Sequence, residues 1–225
     1  SEPGSVSRFG GEFFLSWDGC MARDHFGIIT GPCPAGTIVC EGKNTGNISP
    51  NPPVLSLDEA IVTAVRLRST EGVCAFSGGV DSSLVAFLAQ RPCIAIGRAG
   101  SHDLVRASLA ADAMHLDCTC IEVTHDDIRE GLHAVIGVIP EPTPVNTAIA
   151  ITQYLVTRSA SELGHARVLT GQGADELFGG YARYRTGTDP AARLARDFAG
   201  LAAQGLRDQS VAALNGTYLS QPFLD

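Results

Sequence analysis

The sequence predicts an α/β domain, a doubly wound parallel sheet, carrying a short β-rich appendage at its N-terminal end. Three observations carry that prediction. Short apolar runs alternate with helical patterns from residue 56 onward, the signature of a parallel sheet with helices on both faces. Two of the runs end in glycine-rich loops, at the strand ends where such sheets bind ligands. Residues 1–53 lack the alternation and are rich in Gly and Pro.

The appendage contains short aromatic pieces such as Glu12-Phe13-Phe14-Leu15 and closes on Gly46-Asn47-Ile48-Ser49-Pro50-Asn51-Pro52-Pro53. Glycine and proline at that density mark a linker, which sets the boundary between 1–53 and a main domain over 54–225. Ser56-Leu57-Asp58-Glu59 is a capping box that opens a helix over Ala60–Leu67. Val73–Phe76 reads as a buried strand, with a helix through Leu84–Gln90. Cys93–Ile96 is a second strand, followed by a helix over Asp103–His115. Cys118–Val123 makes a third, before a helix over Asp126–Ile136. Beyond the turn-like Pro140–Pro144, Asn146–Leu163 has helical spacing, and Ala166–Leu169 is a fourth short strand. Ala191–Ala203 and Gln209–Leu214 read as helices outside the alternation. There is no internal repeat.

Composition narrows the function classes. At 225 residues, 44% hydrophobic and 18% charged, the chain can bury a core and is not disordered. Its net charge of −8 repels phosphate backbones and argues against a nucleic-acid partner. No apolar run reaches the ~18 residues of a membrane span, and no basic and apolar leader opens the chain, so no membrane partner and a cytoplasmic location are expected. The seven cysteines include no Cys-x-x-Cys pair, and reduced, packed thiols are the expectation for all of them. Lys43 is the single lysine against fifteen arginines. The six histidines are expected in surface or capping roles, and Met114 and Trp17 in packing.

The chemistry lies in the loops after the first and fourth strands. Ser77-Gly78-Gly79-Val80-Asp81-Ser82-Ser83 lets backbone approach an anion, adds hydroxyl donors and aims a helix N-terminus at the same place, which is a phosphate cradle. It lacks the Gly-Lys-Ser/Thr of a Walker A loop. Asp81 puts a carboxylate in that cradle, which makes electrostatic sense with a cation such as Mg²⁺ between. Thr170-Gly171-Gln172-Gly173-Ala174-Asp175-Glu176-Leu177-Phe178-Gly179-Gly180-Tyr181 sets two acids between glycine pairs. Asp175 is placed to share the metal, and Glu176 to hold it or orient a neighbour. Taken alone, this second loop reads equally well as a helix start whose acids favour the dipole; the first loop tips it toward a site. The two carboxylates should each favour protonation until the metal arrives.

Together the loops resemble a known family. Ser77–Ser83 is similar to the PP-loop of ATP pyrophosphatases, whose fold is of the adenine nucleotide alpha-hydrolase type. Gly171–Tyr181 is similar to the signature of asparagine synthetases and of the related β-lactam synthetases and lasso-peptide cyclases. Gly100-Ser101-His102-Asp103-Leu104 and Pro222-Phe223-Leu224-Asp225 resemble further family segments. Gly11-Glu12-Phe13, Trp17-Asp18, Arg23–Gly27 and Pro34–Thr37 resemble the tail of the glutamine amidotransferase domain that precedes the synthetase, so 1–53 reads as a shortened remnant of it.

The resemblance implies an ATP-dependent amide-forming ligase. Aspartate or another carboxylate would attack the α-phosphorus of ATP, pyrophosphate would leave, and ammonia would displace AMP. Ser77, Gly78, Gly79, Ser82 and Ser83 would hold the phosphates. Phe76, Ile96, Thr170 and Gly171 would contact adenosine. Asp81 and Asp175 would bind Mg²⁺, with Gln172, Asp175 and Glu176 as the catalytic set. Departures qualify it. The family's Glu is Gln172 here, and an amide can only hydrogen-bond. A family Leu-Glu-Val-Arg is Thr217-Tyr218-Leu219-Ser220. The chain stops at Asp225, before a family lysine that Lys43 lies in the wrong segment to replace. A glutaminase needs an N-terminal cysteine, whereas the chain begins Ser1-Glu2, so ammonia would come from solution or a separate glutaminase subunit. A homodimer is a further expected partner. The alternative is a nucleotide-binding module without catalysis, a fragment that needs a second chain, or a related amide- or β-lactam-forming synthetase.

Overall fold

A computed structural model describes residues 3–51, 54–184 and 189–224. A short helix α1 (Pro3–Val6) leads into four strands, β1 (Phe14–Trp17), β2 (Cys20–Arg23), β3 (Thr37–Cys40) and β4 (Lys43–Asn47). They form one antiparallel sheet in chain order, around Val6, Ala22, Ile38 and Ile48. The main domain runs α2 (Leu57–Arg68), β5 (Val73–Ala75), α3 (Val80–Ala89), β6 (Cys93–Gly97), α4 (His102–Ala113), β7 (Cys118–Glu122), α5 (His125–Val135) and α6 (Pro144–Glu162). It continues through β8 (Arg167–Leu169), α7 (Ala174–Phe178), α8 (Pro190–Ala199), α9 (Leu201–Ala213) and β9 (Tyr218–Ser220).

Its five strands are all parallel, in the order β7-β6-β5-β8-β9. Alternate side chains therefore feed two cores. Cys74, Phe76, Cys93, Ala95 and Leu169 meet Val65 of α2, Val85 and Ala86 of α3, and Leu104 and Ala107 of α4 on one face. Val73, Ile94, Val168 and Leu219 meet Val156 and Ala160 of α6 and Ala212 of α9 on the other. Val135 and Ile139 extend that second core beneath α5 and α6. Each fully buried Val, Ile or Leu contributes about 1.5–3 kcal/mol, so the doubly wound arrangement follows from the alternation. No helix among the described residues is long and apolar enough to cross a membrane.

Local signals explain most boundaries. The backbone N–H of Ser56 donates to the Glu59 carboxylate at 3.0 Å, the reach-back of a capping box, and the Ser56 hydroxyl donates to the same carboxylate at 2.7 Å. Thr143 caps α6 by accepting from the Asn146 N–H, with Pro144 in its first turn. The helix expected from Leu84 begins four residues earlier, at Val80, so Asp81, Ser82 and Ser83 occupy its first turn.

Three features depart from the sequence reading. Tyr218–Ser220 is a fifth strand, paired to β8 with Val168 opposite Leu219; three residues are too short to show a period. The helical pattern expected to pause between Ala203 and Gln209 is one helix, α9, in which Gly205 and the adjacent charges Arg207 and Asp208 mask the apolar spacing. Cys20 and Cys40, expected as thiols, form a disulfide. The register of β2 on β3 sets Cys20 opposite Cys40, with Cα atoms 4.0 Å apart, a pairing that no local spacing reveals. Reduction should lower the stability of the appendage by about 2–4 kcal/mol, read from denaturant unfolding with and without a reductant; an unchanged midpoint would show that the link adds nothing.

The appendage docks on the main domain through Glu12. Its carboxylate meets Arg68 Nε at 2.9 Å and accepts the Ser220 hydroxyl at 2.7 Å, with Glu12 and Arg68 side chains each 7% exposed. Ile28 packs on Leu201 and Leu224.

Candidate active site

The cleft opens at the carboxyl ends of β5, β6 and β8 and has a volume of about 570 Å³. Adjacent parallel strands deliver two loops to it. The first leaves β5, passes Gly78 at φ +68° and enters α3. A Cβ on Gly78 would stand 3.0–3.2 Å from the backbone of Arg106 and Ala107, so a side chain there would push α4 away. Within the loop the Ser77 N–H donates to Ser82 Oγ at 3.2 Å, the two hydroxyl oxygens lie 3.0 Å apart, and the Gly79 N–H donates to Ser77 Oγ at 3.3 Å. Arg106 braces it, donating to the Ser77 carbonyl at 3.3 Å.

The second loop leaves β8 and enters α7. Gly171 lies so close to the first loop that a Cβ would meet the Asp81 carbonyl carbon and the Ser82 nitrogen at 2.8 Å. Gly173, at φ +91°, leaves no room for a Cβ beside Leu224, and Gly180 none beside the Asp175 carboxylate. These contacts explain three of the loop's glycines and fix Asp175 relative to Asp81.

The electrostatics are acidic. Burial raises the Asp81 carboxyl above its ordinary range. Asp175 is raised by burial first, then by the charges of Asp81 and Glu176, with Arg183 opposing. Burial thus outweighs mutual repulsion in favouring protonation. Glu176 is buried and accepts the Tyr181 hydroxyl at 2.7 Å. Arg183 stacks on the Tyr181 ring at 3.9 Å. Two arginines line the cleft, and both are engaged: Arg106 with Asp103 at 3.2 Å, and Arg207 with Asp208 at 2.7 Å.

Of the residues singled out in the sequence, Phe76, Ser77, Gly79, Asp81, Ser82, Ile96, Thr170, Gly171, Gln172, Asp175 and Glu176 line this one cleft. Gly78 and Ser83 do not line it; Gly78 faces α4. No histidine lines it, and neither does any described residue of the appendage. Asp103, Arg106, Gln153 and Arg207 line it without having been expected. Asp103 and Arg106 are one helical turn apart on α4, a spacing typical of any solvated helix face. The adjacent Arg207 and Asp208 inside a helical pattern were the one sequence signal missed.

A parallel sheet whose neighbouring strands β5 and β8 present a glycine-serine cradle and an acidic loop across one cleft has the layout of a nucleotide-using α/β enzyme. The chain belongs to the asparagine synthase family: the family model matches residues 56–220. A Methanocaldococcus jannaschii protein carried under the name asparagine synthetase 1, glutamine-hydrolyzing, is 36% identical over 183 residues, covering 75% of this chain and 34% of its own length. Asparagine synthetase B of Escherichia coli K12 is 35% identical over 127 residues, 47% of this chain and 22% of that one. The chain therefore spans about a third or less of these relatives. Among solved structures, the NH3-dependent NAD synthetase of Campylobacter jejuni is similar at 20% identity and TM-score 0.39, over 65% of this chain and 75% of that chain.

Proposed function

We propose that the chain carries the ATP-using half of an amide-forming ligase: a carboxylate substrate attacks the α-phosphorus of ATP, pyrophosphate leaves, and ammonia then displaces AMP. The observation that supports this reading most is the contact of the two loops, with Gly171 against Asp81 and Ser82. It supports reading the serine-glycine loop as a phosphate cradle and Asp175 as a second carboxylate lining the same cleft.

In this reading Ser77, Gly79 and Ser82 hold the phosphates, with Gly78 and Ser83 shaping the cradle behind them. Phe76, Ile96, Thr170 and Gly171 take the adenosine. Asp81 and Asp175 hold Mg²⁺. Two partly buried carboxylates held above their ordinary range fit a divalent cation, and two are too few for a protein-only cage, which suits an ion completed by phosphate oxygens. When bound, the ion neutralises pyrophosphate as it leaves. The α3 N-terminus and loop N–H groups add fixed donors at the same place.

Because both carboxyls are raised, protons compete with the metal, and the metal-linked part of ATP affinity should grow as pH rises through and above the ordinary carboxylate range. Titration calorimetry with ATP should therefore show binding at least ~10-fold weaker in excess chelator than with Mg²⁺ at pH 7.5. Equal affinity in both would remove Asp81 and Asp175 from the metal site.

A second reading concerns the acid. Among the described residues no cleft arginine is unengaged, so free aspartate's second carboxylate finds no unpaired cation. That favours an acid whose single charge is the carboxylate being activated, as in β-lactam- or peptide-type amide formation. Comparing AMP release with free aspartate and with its N-acyl α-amide separates the two.

A further inference from the structure

Gln172 stands in a polar chain that crosses the domain behind the cleft. Its Nε2 donates to Asp208 Oδ2 at 3.0 Å. Its Oε1 accepts from Gln221 Nε2 at 2.9 Å and from the Thr170 hydroxyl at 3.3 Å. Asp208 in turn takes two bonds from Arg207, at 2.7 and 3.0 Å, and Arg207 reaches Asn146 Oδ1 at 3.1 Å. Asp208 is 1% exposed, Arg207 5% and Gln221 3%.

This chain of bonds has a direction. An ionised carboxylate only accepts, so Asp208 compels the Gln172 nitrogen to face it. The Gln172 oxygen must then accept, and Thr170 and Gln221 are the donors that fill it. One N–H of Gln172 has no partner among the described residues, and Gln172 lines the cleft. Arg207 has its charge answered by Asp208 and so cannot answer a second buried carboxylate beside it. Burial raises the Asp208 carboxyl, the bonds from Arg207 and Gln172 oppose that and favour its ionised form, and Glu176 adds a further like charge.

We propose that the buried Arg207–Asp208 pair is a positioning device that turns Gln172 into a neutral hydrogen-bond donor on the cleft wall and bars a carboxylate from position 172. The ligand for that donor is an anionic oxygen of the acid substrate, and an ammonium group is excluded. The proposal rests on the ligase reading for the identity of that ligand and stands apart from it for the pair itself.

The test uses Gln172→Glu, Asp208→Asn, the double variant Gln172→Glu/Asp208→Asn, and Gln172→Met. The charged groups around position 172 are Asp208, which it touches, and Arg207 paired to it on α9; Asp175 and Glu176 of α7, which line the same cleft; and, through Gln221, Glu12. Against that acidic surround the carboxyl introduced by Gln172→Glu has its folded pKa raised above its unfolded value. Its penalty is absent while it is protonated, below about pH 4, and grows as pH rises through the folded pKa. Gln172→Glu should therefore unfold with the parent below about pH 4 and about 5 °C below it at pH 8. The double variant, with one carboxylate again beside Arg207, should recover most of that gap. A pH-independent gap, no gap, or simple addition of the two single-variant losses would overturn the pair's role. In AMP-release assays Gln172→Met should lower kcat/KM for the acid about 100-fold and leave the KM for ATP within about twofold. Equal losses on both substrates, or none, would overturn the donor role. If the parent releases no AMP with any acid, the ligase reading falls and the acid falls with it as ligand, while the unfolding results still decide the pair.

Discussion

Replacing Asp81 by Ala should abolish pyrophosphate release from ATP, a fall of at least ~10³-fold, with the fold intact. The side chain sits in the first turn of α3 and is part of neither core, so its loss leaves no cavity among Val85, Ala86 and Leu104. What it removes is one of two carboxylates facing the phosphates, and with it the charge that would hold a divalent ion against the departing pyrophosphate. The measurement is pyrophosphate and AMP formation with Mg²⁺, carboxylate substrate and ammonium, alongside a thermal unfolding scan. Release of ADP in place of AMP by the parent would reject attack at the α-phosphorus. Full activity in Asp81→Ala would reject the metal assignment.

Gly171→Ala should be nearly as damaging through a different cause. Its added methyl would lie 2.8 Å from the Asp81 carbonyl carbon and the Ser82 nitrogen. Both are backbone atoms at a helix start, so neither swings aside as a side-chain tip would. Overpacking of this kind costs about 1–3 kcal/mol, and here it is relieved by parting the two loops that form the cleft. ATP affinity should drop roughly 10- to 100-fold, more than stability falls, as read by calorimetry and unfolding on the same samples. An unchanged affinity would show that the loops can separate without loss of the nucleotide site.

The main domain was legible because its signals are local. Val73–Ala75, Cys93–Gly97 and Arg167–Leu169 are short apolar runs bounded by glycine or polar turns, and α4, α5 and α6 between them carry the caps Ser101, Thr124 and Thr143. The two loops were legible for the same reason: each compresses a strand end, a glycine turn and a helix start into a dozen residues. Features set by distant pairing stayed hidden. The Cys20–Cys40 link depends on the register of β2 and β3, and β9 on an open edge of β8. Arg207 and Asp208 reach the site because α9 runs unbroken behind it, whereas their sequence context shows only two charges in a helix. The brace from Arg106 to Ser77 depends on α4 lying against Gly78, a contact between segments nearly thirty residues apart.

The strand order also bears on how the protein acquires its site. From β5 the chain winds outward through β6 and β7, then crosses back over the sheet by α6 to lay β8 on the other side of β5. Asp81 and Asp175 come to line one cleft only after that return, more than ninety residues along the chain. Closing so long a loop is among the slower steps of folding. A nascent chain released before β8 would therefore own the serine-glycine turn and lack the loop that completes the cleft, so the proposed nucleotide site is a property of the completed sheet, and a nucleotide bound there would draw the equilibrium toward that last docking event.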